Sequence, residues 1–381
     1  MIFTEEQTLI RDVANKFASN QLQPAAAELD RGENRSLFLK HLKSLAEMGY
    51  MGLNIDARYG GTEAGTIAFS LAITELARAC ASTAVTTSVT NMVAEVIQSI
   101  GNEDQKATYI PRICDGTYAA ASFCLSEAGA GSDPAGMKTT ATRDGDDWVL
   151  NGNKLWITSA EYAGVFVVWA VTDRTRPKGK GISCFLVEAG TPGITIGKAE
   201  HKSGQIASCT NEVIFEQCRV PGSAMLGNEN EGFRIAVGEL AGGRIGIASL
   251  ALGVAGAALD YARSYIQERT QFNAPIAQLQ GPQWMLAEAY TNMEAARLLT
   301  LNAAALKQAG QPFGTEASMA KLKATEDGIR AVYTAQQLMG GIGYTRECPV
   351  ERYARDIRVT SVYEGTTEVQ KVIIARSLFS N

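Results

Sequence analysis

Histidine is scarce in this chain: only His41 and His201 occur among 381 residues. A His-rich metal centre or a Ser-His-Asp triad is therefore hard to assemble, and no metal site is expected. The seven cysteines (Cys80, Cys114, Cys124, Cys184, Cys209, Cys218 and Cys348) are odd in number and scattered, with no CxxC pair. That usage argues against a zinc ribbon or a disulfide framework and fits a reducing, cytoplasmic setting. No excess of Lys and Arg exists either, since the formal net charge is -5 and the pI is near 5.4. A nucleic-acid surface and an anionic-membrane patch are both disfavoured. The opening MIFTEEQTLIRD lacks the basic start and unbroken apolar stretch of a secretory leader. No apolar run approaches the ~20 residues needed to span a bilayer, so membrane insertion is not expected. GxGxxG, GxxxxGK and GxSxG are absent too, which weakens Rossmann, P-loop and α/β-hydrolase readings.

What is present is ample core material, 46% hydrophobic against 20% charged, in a length that suits two or three domains. From Thr4 to about Tyr118 the pattern is helical: Thr4 and Gln7 fit a capping box, and Leu9, Ile10, Val13 and Phe17 recur at helical spacing. Between about Ala119 and Gly227 the texture changes to short β-branched and aromatic runs. Asp147–Leu150 and Lys154–Ile157 read as two strands around a tight Asn151-Gly152 turn, with further strands over Val165–Val171, Ile182–Val187 and Glu212–Phe215. From Glu231 the helical pattern returns, and Leu279–Gln308 and Glu316–Leu338 have the length and spacing of bundle helices. The expected architecture is α+β: an N-terminal α-helical domain (1–118), a central β-barrel-like or β-sandwich domain (119–227) and a C-terminal four-helix bundle (228–381).

Three runs carry candidate chemistry. In FCLSEAGAGSDPAGMKTTA, Gly129, Gly131 and Gly136 let backbone approach a ligand, and Ser126 and Ser132 offer hydroxyls; an ordinary surface loop reads the same way. NGNKLWITSAEYA sets Trp156 and Thr158 just past the supposed turn, where a flat aromatic and a hydroxyl meet a planar cofactor, or where a Trp simply enters the core. In YEGTTEVQ, Glu364 before Gly365 and Thr366 is either an acid aimed into a cleft or a solvated residue at a helix start.

Together with GGRIGIA, ERTQF and QLMGGIGYT, and in this order, these runs resemble the acyl-CoA dehydrogenase family, most closely its short-chain, butyryl-CoA-type branch, over nearly the whole chain. The resemblance implies FAD as cofactor, an acyl-CoA substrate, electron-transferring flavoprotein as acceptor, and a homotetramer built as a dimer of dimers. By the same resemblance Phe123, Leu125, Ser126, Gly131 and Ser132 line the flavin, and Trp156, Ile157 and Thr158 pack on its ring system. Thr366 and Glu368 lie near the cofactor from the C-terminal domain. Arg269, Phe272, Gln280 and the turn Gln337–Gly341, including Gly340 and Gly341, would hold the pyrophosphate and adenosine from the neighbouring subunit. Ser132, Gly243, Arg244 and Gly365 are expected beside substrate, and Thr87, Thr90, Asn91, Val93 and Glu95 near the tail of the acyl cavity.

Glu364 matches the base that removes the proton α to the thioester. One branch of the family puts its base instead on the helix over 241–246, at the position before Arg244; here that position is Gly243. Glu239, four residues upstream and about 6 Å along the axis, is the rival carboxylate. Three departures touch substrate binding: Ala241 where an Asp commonly bonds the pantetheine chain, Asn273 in place of a Gly, and HKSGQIASC, which would alter the mouth for CoA. Competing readings are an oxygen-using flavin oxidase on the same scaffold, usually a longer chain, and a catalytically silent flavin-binding homologue, which would typically lose the base.

Overall fold

A computed structural model describes residues 2–379. Helix α1 (Glu5–Phe17) starts on the expected capping box, with Thr4 Oγ1 accepting from Gln7 N at 3.2 Å and Gln7 Oε1 accepting from Thr4 N at 3.1 Å. Its buried face differs from the expected stripe: Ala14 is fully buried whereas Leu9 is 63% exposed. A π-helical turn (Ala18–Leu22) leads to α2 (Gln23–Asp30), α3 (Arg35–Glu47), α4 (Gly65–Ala79), α5 (Ala81–Ile100) and α6 (Glu103–Cys114). Residues 68–100, a single apolar stretch in sequence, form two helices because Cys80 takes an extended conformation between them.

The middle of the chain forms strands β1 (Ala120–Cys124), β2 (Thr140–Asp144), β3 (Asp147–Thr158), β4 (Ala163–Val171), β5 (Ile182–Glu188), β6 (Ile194–Ala199), β7 (Thr210–Val220) and β8 (Met225–Leu226). They make one eight-stranded sheet in the order β6-β7-β3-β2-β4-β5-β8, with β1 beside β4. The strand ladder passes between its two halves at Thr140 opposite Val171. They close face to face over Trp148, Leu150, Phe166, Val168, Phe185 and Phe215.

The expected hairpin at Asn151-Gly152 is absent. Strand β3 runs straight through it, because β2, not a second half of β3, supplies the antiparallel partner. Gly152 serves a close approach instead. At φ +143 it passes so near Thr139 that a Cβ would meet Thr139 Oγ1 at 2.5 Å.

The remaining elements are α7 (Gly232–Glu268), the small pair β9 (Thr270–Gln271) and β10 (Ala274–Pro275), α8 (Gln280–Gln308), α9 (Gly314–Met339), α10 (Pro349–Arg358) and α11 (Thr367–Leu378). Helix α7, with 37 residues, is long and apolar enough to cross a bilayer by length and composition, contrary to the expectation from sequence. It is instead the spine of the helical core, packed on α4, α5, α8 and α9. Its small residues explain that position: a Cβ at Gly253 would lie 2.2 Å from the Thr74 carbonyl oxygen, and one at Gly246 would lie 2.2 Å from Ser88 Oγ. Each Gly costs about 1 kcal/mol of helix propensity against Ala, offset here by close helix-helix approach. N- and C-terminal helices therefore share one apolar core, against whose edge the sheet is set.

Candidate active site

Between α10 and α11 the chain turns through two left-handed residues, Glu364 (φ +54) and Gly365 (φ +89). Such a φ is uncommon for a Glu and persists only where neighbours hold it. Gln370 Nε2 donates to the carbonyls of Glu364 (3.1 Å) and Gly365 (2.8 Å), and Lys321 Nζ donates to Gly365 O at 2.6 Å. Thr366 caps α11 by accepting from Val369 N at 3.3 Å. On the other side Tyr363 Oη meets Gln205 Nε2 at 3.1 Å, while the Gln205 backbone N–H donates to Asp356. The divergent HKSGQIASC segment thus braces this turn from the sheet.

The carboxylate points inward: Glu364 Oε2 is buried without a hydrogen-bond partner. It lies against α7 at Gly243, where an added Cβ would sit 2.8 Å from Glu364 Oε2 and 2.8 Å from Met92 Sδ. The space a side chain at Gly243 would take is therefore filled by the Glu364 carboxylate. Burial pushes the Glu364 pKa up to about 7, against the opposing pull of Arg244 and Lys321. Lys321, fully buried on α9, is pushed down to about 8 by the same desolvation. Arg244 is 6% exposed, its Nη1 donates to Ser318 Oγ at 3.4 Å, and its Nε has no partner. An acid near neutrality beside two cations in a dry place can accept a proton from a weak carbon acid.

A flat site opens at the sheet. Trp156 (φ +64) sits at a register shift in β3 that turns it outward, 57% exposed. Leu155 N donates to Ser126 O at 2.9 Å and Ser122 Oγ donates to Thr158 O at 2.7 Å, so the two Gly- and Trp-bearing runs lie side by side. The loop carrying Gly131 and Ser132 is exposed, and a Cβ at Gly129 or Gly131 would meet nothing within 4 Å. An unfilled glycine loop beside an aromatic face fits a planar tricyclic ring. Leu125 and Ile157 depart from the expectation: their side chains are buried in the cores, at 5% and 1% exposure, so only their peptides remain for a ligand. Phe123 is half-buried on Trp169, with ring centroids 4.2 Å apart. Thr366 is half-buried and Glu368 exposed at the start of α11.

Arg269, Phe272, Gln280, Gln337, Gly340 and Gly341 are exposed, and the structure does not bring them to Glu364. Helices α7 and α9 run parallel, since Arg244 meets Ser318 and Gly328 lies over Ala251. Their C-terminal ends therefore lie at the same end of the bundle. Arg269 follows Gly243 by 26 residues of nearly continuous helix, about 39 Å along the axis. Of the expected tail residues only Glu95 lines the cleft beside Gly243; Phe69, Ser88 and Met92 join it there. Asn91 instead donates to Tyr50 O and Thr87 O, and Thr87, Thr90 and Val93 are fully buried on other faces of α5. The helical period was legible, but its phase against α7 was not.

Three family models cover the chain: the acyl-CoA dehydrogenase N-terminal domain over residues 4–117, the middle domain over 122–218 and the C-terminal domain over 230–379. The chain belongs to the acyl-CoA dehydrogenase family. Among its relatives, the short/branched chain specific acyl-CoA dehydrogenase, mitochondrial, of Bos taurus is 44% identical over 99% of this chain and 86% of that protein. Butyryl-CoA dehydrogenase from Megasphaera elsdenii superposes with a TM-score of 0.96 at 37% identity, covering 100% of both chains. A chain in the structure of the electron transferring flavoprotein of Acidaminococcus fermentans gives 0.97 at 39% identity, also over 100% of both. The protein is an FAD-dependent oxidoreductase acting on acyl-CoA, of the short-chain branch.

Sequence reasoning missed Lys321, Gln370 and Gln205, the groups that hold the acyl-CoA dehydrogenase turn. A Lys at 321 amid small and apolar residues on a helix was the signal available for the first. The other two act through a turn whose partners lie far off in sequence. Among the described residues no group of three or more His, Cys, Asp or Glu is placed to hold a metal.

Proposed function

We propose that this chain converts a short acyl-CoA to the trans-2-enoyl-CoA with Glu364 as the base. Bound FAD supplies the acceptor for the β hydride, and electrons leave to an electron-transferring flavoprotein. The observation that carries this reading is the unpartnered, buried Glu364 carboxylate with its pKa near 7, facing the cleft at Gly243.

Several residues share the work. Glu364 accepts the α proton, Gln370 and Lys321 hold the turn by its carbonyls, and the turn's peptide N–H groups would donate to the thioester oxygen. Arg244 and Lys321 keep the base from drifting to a still higher pKa in its dry surroundings. Trp156 and the 126–132 loop would carry the flavin ring. Arg269 stands about 39 Å along α7 from Gly243, which supports FAD held between the subunits of the homotetramer that the family resemblance implies. Removing a proton and a hydride from adjacent carbons leaves the double bond, and the products balance as enoyl-CoA, reduced flavin and protonated Glu364.

The test is anaerobic mixing of the flavin-loaded protein with saturated acyl-CoA thioesters of increasing length. Flavin bleaching with formation of the enoyl-CoA, and turnover when an electron-transferring flavoprotein is added, is the expected result. Absence of bleaching by every thioester would overturn the reading.

A further inference from the structure

Two charged residues inside the glycine and Trp156 runs take no part in the chemistry above: Glu127 in SEAGAGSD and Lys154 in NGNKLWIT. Both are buried, Lys154 completely. An ion pair of 2.9 Å joins Lys154 Nζ to Glu127 Oε1. Lys154 Nζ also donates to the Leu125 carbonyl at 3.1 Å, while the Glu127 carboxylate accepts from Lys138 N at 2.6 Å and Thr139 N at 3.0 Å. Both sides of the loop's neck are therefore tied to one point on β3. Beyond the neck Ala128, Gly129, Gly131, Ser132 and Asp133 are exposed. Two residues past Lys154, across the register shift, the same strand turns Trp156 outward.

We propose that the buried Glu127–Lys154 pair positions the glycine loop against Trp156 and thereby sets how firmly the flavin ring is held. The inference rests on the reading that FAD sits between this loop and Trp156. Stability alone does not call for a buried ion pair, because desolvating two charges is costly and apolar residues of similar volume often serve as well or better. What an apolar pair cannot do is bond three backbone groups at once: the Leu125 carbonyl and the N–H groups of Lys138 and Thr139. Those groups fix where the exposed loop leaves the sheet, and Lys154 fixes it to the strand that carries Trp156. Both residues are positioning residues, since they act from beneath the site through the loop and the strand.

The experiment follows FAD release from diluted holoprotein by the return of flavin fluorescence, beside the urea midpoint of the same samples and the visible spectrum of the bound flavin. The double variant Glu127→Leu/Lys154→Met removes both charges together. It should unfold at a urea concentration no lower than the wild type, yet release FAD about tenfold faster or more, the scale of one lost charge-assisted hydrogen bond. Its bound-flavin spectrum should shift toward that of free FAD. Lys154→Met alone leaves Glu127 its bonds from Lys138 and Thr139, should also speed release, and carries the test if the double variant does not fold. A folded double variant that keeps FAD and its spectrum as the wild type does would reduce the pair to core filling and overturn the proposal. Trp156→Ala separates this failure from failure of the flavin seat: release as slow as in the wild type would remove the seat itself, and the inference with it.

Discussion

The two ends of α7 differ in what a single chain completes. Beside Gly243 the helix is enclosed: the Glu364 carboxylate, Arg244 and Lys321 are buried, and the turn is tied by Gln370 and Gln205. About 39 Å on, Arg269 and Phe272 stand in solvent, Phe272 at 88% exposure and φ +54. Raising a carboxylate's pKa requires exclusion of water, which one folded core can supply. Gripping an extended dinucleotide needs a second surface, and an exposed Arg and Phe on a rigid helix end suit the cross-subunit contact proposed above.

The largest expected effect lies at the enclosed end. Glu364→Gln should retain FAD and acyl-CoA binding yet slow substrate-driven flavin reduction by about a thousandfold or more, because the amide cannot take the α proton. Glu239→Gln, one turn away, should cost less than about tenfold; single-turnover bleaching measures both. Rapid bleaching in the first with loss in the second would exchange their roles.

At the open end, Arg269→Ala should weaken FAD binding by about 2 kcal/mol, the scale of a charge-assisted hydrogen bond to phosphate, without altering the secondary structure. Titrating apoprotein with FAD reads this directly. Mixed oligomers of Arg269→Ala with a variant defective on the Trp156 side should regain activity. No complementation would mean that the two ends do not serve one cofactor across subunits.

Lys321→Met should lower kcat by about tenfold as the Glu364–Gly365 turn loosens. It should also move the acidic limb of the kcat/KM profile upward, since losing a cation that favours the carboxylate raises the Glu364 pKa further above 7. A lower rate with an unmoved pH profile would reduce Lys321 to a packing role.

The smallest effect concerns stability. Because the folded Glu364 has a raised pKa, its contribution is fully present below the unfolded value near 4.5 and is lost as pH rises through about 7. Glu364→Gln should therefore gain about 2 kcal/mol over the wild type between pH 5 and pH 8 in chemical unfolding. Equal pH dependence in both proteins would show that the carboxylate is more hydrated than its surroundings imply.

Much of the layout was written locally. The Thr4 capping box and the return of helical spacing after Glu231 depend on neighbours within a few residues, and the structure reproduces both. Motif order was equally local, and it sufficed for the family and for Glu364 as candidate base. Asn151-Gly152 misled because a turn dipeptide and a glycine under close backbone approach look alike in one dimension; Thr139, opposite it, decides between them. Tertiary structure alone set the phase of α5, which put Met92 and Glu95 rather than Asn91 in the cleft. It alone brought Lys321, Gln370 and Gln205 to Glu364 from separate segments. The physical reason is the same in each case: propensity and capping act over one or two helical turns, whereas desolvation and the pKa of a buried acid depend on whatever the folded chain brings within a few ångströms.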